Sequence, residues 1–324
     1  MTKYIGRRVS VGLGKESARG TAVSATYWLP WKELNHEEKV NVVVNESAQG
    51  TIMDGVGKEI TKQWGEGGFG SLIGDKHFGL VLYSLLGSLS SAQAGGETLV
   101  YNHTFSLAES SQHQSLTLNI DEANGDKQYA LACVSALKIA YERGKILDYS
   151  AEMMSLTGAG ASLTPAAVSE NVFRPQDFSV KFAADLASLG AASAVPIQSL
   201  SIEFNSHVEP DEVLGNVAPQ DFLNKEFSIT GEFTLIYDST TQEAYVTAGT
   251  EKAMRINLTN SGVTIGNASN PALQINLAKV IFTEKSRTRG LNDIVTLKVS
   301  FKGVYSVSDS KFGTVVLTNL ASSY

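Results

Sequence analysis

One β-rich pattern occurs twice in this chain, in the same order, at residues 28–158 and again at residues 178–306. Both copies begin with an alternating stretch that carries an Asn and a Ser near its end. The matching blocks are 38–47 with 198–207, 65–73 with 231–236, 116–121 with 254–259, 136–143 with 277–284, and 146–158 with 294–306. Identity within each pair is low, but a conserved order across all the pairs indicates duplication. We therefore expect two similar domains.

The spacing of apolar residues predicts that both domains are mainly β. It is close to two along most of the chain, which is typical of strands with one packed face and one wet face. Residues 226–235 are the clearest case, because Phe227, Ile229, Phe233 and Leu235 alternate with polar residues. We expect the polar face of this strand to meet water.

Each half also contains one segment with helical spacing. In the first half, Asp75 is expected to cap a helix over residues 78–86, and Gly87 is expected to end it. In the second half, Thr240 and Glu243 have the spacing of a capping box. One short helix is therefore predicted in each domain.

Changes of composition indicate the domain limits. Residues 157–167 are small and uncharged, which suits a linker, and residues 1–30 are glycine-bearing and irregular. We expect an N-terminal arm at residues 1–30, a first domain at 31–160, a linker at 161–172 and a second domain at 173–324.

Composition argues against several classes of protein. A net charge of −7, with 26 Lys and Arg against 33 Asp and Glu, does not suit a protein that grips nucleic acid. The single cysteine, Cys133, excludes an intramolecular disulfide or a thiolate metal cage. The first residues lack the apolar stretch of an export signal, and the longest apolar run is about half a membrane span. We expect a protein that is made and kept in a cytoplasm, with no membrane role.

No catalytic, metal or cofactor site is predicted. The histidines have no metal-ligand spacing, and residues 12–17 and 65–70 resemble nucleotide-binding loops only in their glycines. Trp28, Trp31 and Trp64 have no interleaved basic residues, which favours core or subunit contacts over base stacking. A duplicated β protein without visible chemistry is best interpreted as a structural or interaction protein.

Residues 11–22, followed by Tyr27, Trp28, Leu29 and Pro30, resemble the amino-terminal signature of tail tube proteins of long-tailed bacteriophages and related prophages. The resemblance implies two tandem tail-tube-like β-sandwich domains, each flanked by one short α-helix. Single-domain members form hexameric rings, so a chain with two domains is expected to form trimeric, pseudo-hexameric rings that stack into a hollow conduit for DNA ejection. The sheets of neighbouring domains would join into a continuous barrel around the lumen.

The resemblance also implies partners and site residues. The partners are further copies of the chain, a tape-measure protein, and tail terminator or baseplate proteins, in a virion tail assembled in the host cytoplasm. DNA would pass through the lumen without specific binding, and no cofactor is expected. The candidate lumen-facing acids are Glu66, Asp148, Glu152, Glu226 and Glu232. The candidate ring-stacking residues are Lys15, Glu16, Arg19, Thr21, Asp54, Glu209, Asp211 and Glu212.

Other interpretations remain open from sequence alone. The chain has features expected of another ring-forming phage-tail or baseplate protein, or of the tube of a contractile injection system. From a different class, a β-sandwich module that binds carbohydrate or protein is supported only by the tryptophans. A hydrolase with a site assembled from distant residues is the third alternative.

Overall fold

Antiparallel strands make up most of the chain in a computed structural model that describes residues 3–324. The first half contains the helix α1 (Phe78–Leu86). Its strands are β1 (Ser10–Lys15), β2 (Tyr27–Leu29), β3 (Trp31–Leu34), β4 (Glu37–Asn45), β5 (Gly57–Leu72), β6 (Gly87–Gln93), β7 (Tyr101–Leu107), β8 (Leu116–Asp121), β9 (Asp126–Glu142), β10 (Asp148–Ser155) and β11 (Ala159–Ala161).

The second half is built in the same way and contains the helix α2 (Thr241–Thr247). Its strands are β12 (Phe178–Ala183), β13 (Ala194–Val195), β14 (Ser199–Asn205), β15 (Glu209–Asp211), β16 (Asp221–Leu223), β17 (Ser228–Ile236), β18 (Lys252–Thr259), β19 (Ala272–Thr288), β20 (Thr296–Val304) and β21 (Gly313–Asn319). The prediction of a mainly β fold with two short helices is confirmed. Within residues 3–324, neither helix combines the length and the apolar character needed to cross a membrane.

The order of paired strands is the same in both halves. In the first half it is β1-β8-β9-β10-β5-β4, and each neighbouring pair is antiparallel. In the second half it is β12-β18-β19-β20-β17-β14, again antiparallel throughout. The helix follows β5 in one half and β17 in the other. This repeated topology gives a structural basis for the pattern that recurs in the sequence.

Strand pairing corrects most of the equivalences drawn from sequence, and only the last pair of blocks, 146–158 with 294–306, keeps its register throughout. In the first pair, Lys39 and not Asn45 becomes the counterpart of Asn205. Bulges interrupt β9 opposite Glu152 and β19 opposite Ser300, which makes Ala136 the counterpart of Glu284. Leu118 of β8 is likewise the counterpart of Met254 of β18. Each is the first residue after the register shift in the pairing of its strand, with β9 in the first half and with β19 in the second. An alternating pattern looks alike after a shift of two residues, and an apolar run that continues through a bulge carries no mark of its register.

The two halves share hydrogen-bonded strands. β14 of the second half pairs with β9 of the first, from Ser199 opposite Glu142 to Asn205 opposite Ala136. β21 pairs with β7, which adds a second contact between the halves. Leu137 of β9 and Phe204 of β14 are buried in one hydrophobic core that includes residues of both halves. The halves are therefore joined edge to edge and not only by the linker.

The start of α1 is held by the segment between the halves, and not by Asp75 as predicted. The Glu170 carboxylate accepts hydrogen bonds from the backbone amides of Lys76 (3.3 Å) and His77 (3.1 Å). The Asp75 carboxylate instead accepts hydrogen bonds from the amide and side chain of Asn171, at 2.9 and 2.7 Å. The expected end of the helix is confirmed, because Gly87 has a φ of 80° there. The predicted linker thus packs against the first half.

The predicted capping box of α2 does not form. Glu243 accepts a hydrogen bond from the hydroxyl of Tyr237 at 2.6 Å and forms ion pairs with Lys285 and Arg287 of β19. Hydrogen bonds from Lys285, Tyr237 and Arg287 lower the pKa of the Glu243 carboxyl to about 2. Because these cations draw the carboxylate toward the sheet, it does not turn back to the helix start.

Candidate functional site

One face of the sheet formed by β10, β9, β14, β17 and β20 is polar and open, while the other face is buried. In β17, Ile229, Phe233 and Leu235 are buried, whereas Thr230 is exposed and Glu232 is half-buried. The alternation read from the sequence is therefore present in the strand. Because the same alternation runs through the neighbouring strands, the sheet presents one continuous polar surface.

This polar face carries both signs of charge. Acids on it are Glu66, Asp148, Glu152, Glu203, Glu232 and Glu284, and lysines on it are Lys32, Lys138, Lys298 and Lys302. Glu203 lies directly opposite Lys138 in the strand register. The Nζ of Lys298 lies 2.8 Å from Oε2 of Glu232, and Lys32 forms an ion pair with Asp148. The acids exceed the lysines in number, but several of them are paired.

The structure brings four of the five predicted lumen acids to this face. Asp148 and Glu232 line the same shallow cleft, and Glu66 and Glu152 line another one farther along the sheet. Glu226 precedes the first residue of β17 and lines a separate cleft beside Glu109 and His113. The alternation in the sequence continues past the point where the chain leaves the sheet, which is why Glu226 is separated from the other four.

Sequence reasoning missed several charged residues of the polar face. They are Lys32, Lys138, Glu203, Glu284, Lys298 and Lys302. A usable signal existed in residues 297–302, where Leu297, Val299 and Phe301 are buried and alternate with polar residues. Applying the period of two to every strand, and not only to β17, would have found both lysines of β20.

Glu16, a predicted stacking residue, lies inside the subunit. Its side chain is 3% exposed and accepts hydrogen bonds from four donors. These are the backbone amides of Gly20 and Leu131, each at 2.8 Å, and the hydroxyls of Ser115 at 2.6 Å and Thr117 at 3.0 Å. The N-terminal arm is therefore anchored to β8 and β9, and Glu16 has no surface to offer to another molecule.

Two other residues of the arm also have partners within the chain. The Nε of Arg19 lies 2.7 Å from Oδ1 of Asp221, and its Nη2 donates to the carbonyl of Phe222 at 2.7 Å. Lys15 donates a hydrogen bond to the carbonyl of Tyr324. Thr21 is exposed, and its backbone amide donates a hydrogen bond to the carbonyl of Ala18 across a turn. The arm thus fastens the β15–β16 ribbon of the second half to the first half.

The β15–β16 ribbon carries the three predicted stacking acids of the second half. Asp211 accepts a hydrogen bond from Gln220 at 2.9 Å, Glu212 lies 2.6 Å from Lys62, and Glu209 forms an ion pair with Lys225. Phe222 of this ribbon is fully buried among Leu131, Cys133 and Val208. Burial raises the pKa of the Cys133 thiol to about 12, so it stays protonated.

The hairpin of β4 and β5 is the most exposed part of the described chain. Its tip, residues 46–56, carries Asp54 together with the exposed apolar side chains of Ile52 and Met53. Five valines of β4 or the tip are also exposed: Val40, Val42, Val43, Val44 and Val56. Clustered apolar side chains on a surface are typical of a contact site for another protein.

The joined sheet with the strand order β4-β5-β10-β9-β14-β17-β20-β19 ends in two edges that have no pairing partner among residues 3–324. One is the outer edge of β3 and β4, which pair only with β5. The other is the last part of β19, residues 281–288, which pairs with β20 on one side only. Glu284, Lys285 and Ser286 on that edge are exposed. Free edges of this length are ready to accept another strand.

The tryptophans do not form an open stacking platform. The indole of Trp31 donates to the carbonyl of Val9 at 2.7 Å, and that of Trp64 donates to Oε2 of Glu66 at 2.8 Å. All three tryptophans are at least half-buried. This arrangement weakens the alternative of a carbohydrate-binding module. Within residues 3–324, no group of three or more His, Cys, Asp or Glu is placed to hold a metal ion.

His36 is a buried histidine between β3 and β4. Its Nε2 lies 2.9 Å from the hydroxyl of Ser155, and its ring packs edge-on against Tyr129 with a centroid separation of 4.8 Å. Burial lowers the pKa of His36 from 6.5 to about 4. The imidazole is therefore neutral in the folded protein at neutral pH.

This burial predicts a pH-dependent stability. The unfolded chain takes up the proton first, so the contribution of His36 is fully present above pH 6.5 and is lost as the pH falls toward 4. We expect the free energy of unfolding to fall by about 3 kcal/mol over this range on account of His36. Urea unfolding of the wild type and of His36→Gln at several pH values measures it. Identical slopes against pH for the two proteins would contradict the prediction.

The chain matches a model of a known protein family. Residues 6–303 match a family model described as phage tail tube protein. The match begins in the N-terminal arm and extends through β20. A comparison with curated proteins finds no match.

Proposed function

Because this chain belongs to the phage tail tube protein family, we propose that it is the major tail tube subunit and that three copies close a ring. Stacked rings then form the conduit through which DNA leaves the virion. The observation that carries this proposal is the edge-to-edge joint of two halves with the same strand order. In the virion, its partners are a tape-measure protein and the tail terminator and baseplate proteins.

The repeated topology supports the ring. Within one chain, β14 of the second half completes the sheet at β9 of the first half. The chain is left with one free edge at each end of this joined sheet, at β3 and β4 and at β19. A structure with two complementary free edges either extends indefinitely or closes into a ring, and family members with one domain close with six. Three chains with two domains each provide the same total of six domains.

The polar face supports a lumen lining. A lumen for DNA requires a wet surface that does not hold phosphate, and a face with more carboxylates than lysines meets this requirement. The ion pairs of Glu232 with Lys298 and of Asp148 with Lys32 leave few lysines free to bind the phosphate backbone. DNA then passes without specific binding.

The β4–β5 hairpin supports the stacking of rings. Its tip projects Ile52 and Met53 into solvent, and Asp54 lies next to them. Burying these side chains against the next ring gives a favourable free energy of about 25 cal/mol per Å² of apolar surface. Among the predicted stacking residues, Asp54 and the exposed acids of the β15–β16 ribbon remain in this role, whereas Glu16 serves the fold.

Negative-stain electron microscopy of the purified full-length protein at rising concentration tests the proposal. We expect hollow tubes or stacked rings with threefold symmetry. A variant in which residues 47–56 are replaced by two glycines should form rings that do not stack, because the joint within each ring does not use the tip. A matched variant with Val307→Ser, at an exposed loop residue outside the tip, should form tubes like the wild type. A protein that stays monomeric at every concentration would overturn the proposal.

A further inference from the structure

The joint inside the chain is a template for the joint between chains. In it, Asn205 lies opposite Ala136, Glu203 opposite Lys138, and Ser201 opposite Ala140. Because the two halves have the same strand order, β14 of the second half has a counterpart in the first half, and β9 of the first half has a counterpart in the second. Both counterparts can be identified residue by residue. This inference rests on the proposed function and adds the edges and the register through which copies meet.

β3 and β4 take the place of β14. Leu34 lies opposite Phe69 as Leu200 lies opposite Phe233, and Glu37 lies opposite Glu66 as Glu203 lies opposite Thr230. The equivalence is anchored by the bulges beside Glu152 and Ser300, which oppose Gly68 and Glu232. Glu37 is therefore the counterpart of Glu203, and Lys39 is the counterpart of Asn205.

The last part of β19 takes the place of β9. The same bulges make Glu284 the counterpart of Ala136 and Ser286 the counterpart of Lys138. In the first half this edge is filled by β14, but in the second half it is free. The edge of β19 is thus an acceptor for a strand equivalent to β14, which is the β3–β4 edge of another copy.

We propose that the β3–β4 edge of one copy pairs antiparallel with the β19 edge of the next, with Lys39 opposite Glu284, Glu38 opposite Lys285 and Glu37 opposite Ser286. The charges agree with this register, since both directly opposed charged pairs are of opposite sign. Moving the strands by two residues in one direction sets Glu37 against Glu284, which are of like charge. The other direction sets Glu38 against Arg287 but Lys39 against Ser286, which leaves one opposite-sign pair in place of two. The charges therefore favour the proposed register over both shifted ones.

In the single chain Lys39 and Glu38 hold other partners that are easily exchanged, whereas Lys285 pairs with Glu243 and would be shared between Glu243 and Glu38. Lys39 contacts Glu37 at 2.5 Å, and Glu38 lies 2.7 Å from Lys127. All of these side chains are about a third or more exposed. Exposed ion pairs contribute little to stability, so exchanging them for pairs across the joint costs little. The backbone hydrogen bonds of the new pairing then favour the joined state.

Cysteine pairs in the full-length chain test the register. The variant with Glu37→Cys and Ser286→Cys should form disulfide-linked oligomers up to a trimer under mild oxidation, because directly opposed strand residues have the Cα separation of a disulfide. The matched variant with Glu37→Cys and Thr288→Cys lies two residues out of register on the same face and should cross-link far less. The native Cys133 is 2% exposed and contributes little background.

Charge exchange gives an independent readout. Lys39→Glu and Glu284→Lys should each raise the protein concentration at which rings appear in negative-stain images, and the double variant should lower it again. Tubes from the wild type together with preferential cross-linking of the 37–288 pair would overturn the register and leave the tube function intact. Normal assembly of both single charge variants would also overturn it, and so would a double variant that assembles no better than the single variants. A wild type that never assembles would overturn both the register and the proposed function.

Discussion

Replacing Glu16 with alanine is expected to lower the free energy of unfolding by about 4 kcal/mol. The substitution removes the acceptor for four hydrogen bonds in the interior, two of them from the backbone amides of Gly20 and Leu131. Leu131 is 2% exposed, so water cannot replace the lost partner of its amide without opening the fold. Urea unfolding followed by tryptophan fluorescence at low protein concentration measures the loss.

Two controls separate this effect from a general sensitivity of the arm. Glu16→Gln keeps one carbonyl oxygen as an acceptor and should lose less stability than Glu16→Ala. Thr21→Ala changes an exposed residue of the same arm and should stay close to the wild type, within about 0.5 kcal/mol. Equal unfolding midpoints for Glu16→Ala and Thr21→Ala would show that the buried carboxylate does not anchor the arm.

The same substitution should also expose Cys133. Arg19 lies on the anchored arm, and its guanidinium donates a hydrogen bond to the carbonyl of Phe222. The side chain of Phe222 packs in the same buried cluster as Cys133 and covers it. When the arm loosens, the ribbon that carries Phe222 loses this contact. We expect a thiol reagent to label Cys133 faster in Glu16→Ala than in the wild type under native conditions.

Replacing Gly68 with alanine is expected to destabilise the protein by about 3 kcal/mol or more. A Cβ atom at this position of β5 would overlap the carbonyl group of Ala151 in the paired strand β10. Since the obstacle is backbone, it cannot move aside without breaking the pairing of the two strands. The damage should appear both as a lower urea midpoint and as a loss of assembled rings.

Gly70 offers a matched control on the same strand and the same face. A Cβ atom there would meet its nearest neighbour, the Cβ of Glu33, at 3.4 Å, which is an ordinary contact. Gly70→Ala should therefore be neutral, or stabilising by about 0.4–1 kcal/mol through the unfolded state. If Gly68→Ala unfolds at the same urea concentration as Gly70→Ala, the close approach of the two strands is not a constraint on this position.

The features of the fold that could be predicted from the sequence are those that depend on near neighbours. The alternation around Phe233 and the helix end at Gly87 are set by residues a few positions apart. The capping predictions for Asp75 and Glu243 were wrong because their partners, Asn171 and Lys285, are remote in sequence. A carboxylate binds the nearest strong donor in space, and spacing along the chain does not identify that donor.

The same reason limits the prediction of the site. Glu16 stands in a polar segment that looks solvated, and its burial depends on donors about 100 residues away at Ser115 and Thr117. The pairing of β14 with β9 leaves no period in the sequence, so the joint between the halves could not be foreseen. By contrast, the face that carries Asp148, Glu152 and Glu232 follows directly from strand alternation.

The joint between β9 and β14 means that the proposed ring has two kinds of seam, an inner seam between the halves of one chain and an outer seam between neighbouring chains. The inner seam buries Leu137, Ile139, Ile202 and Phe204, and it forms once, when the chain folds. The outer seam opposes charged residues and remains open until another copy arrives. In the proposed ring, a newly made subunit therefore already contains half of its share of the closed seams before it meets another copy. Ring formation then needs fewer encounters between free molecules than it would with single-domain subunits.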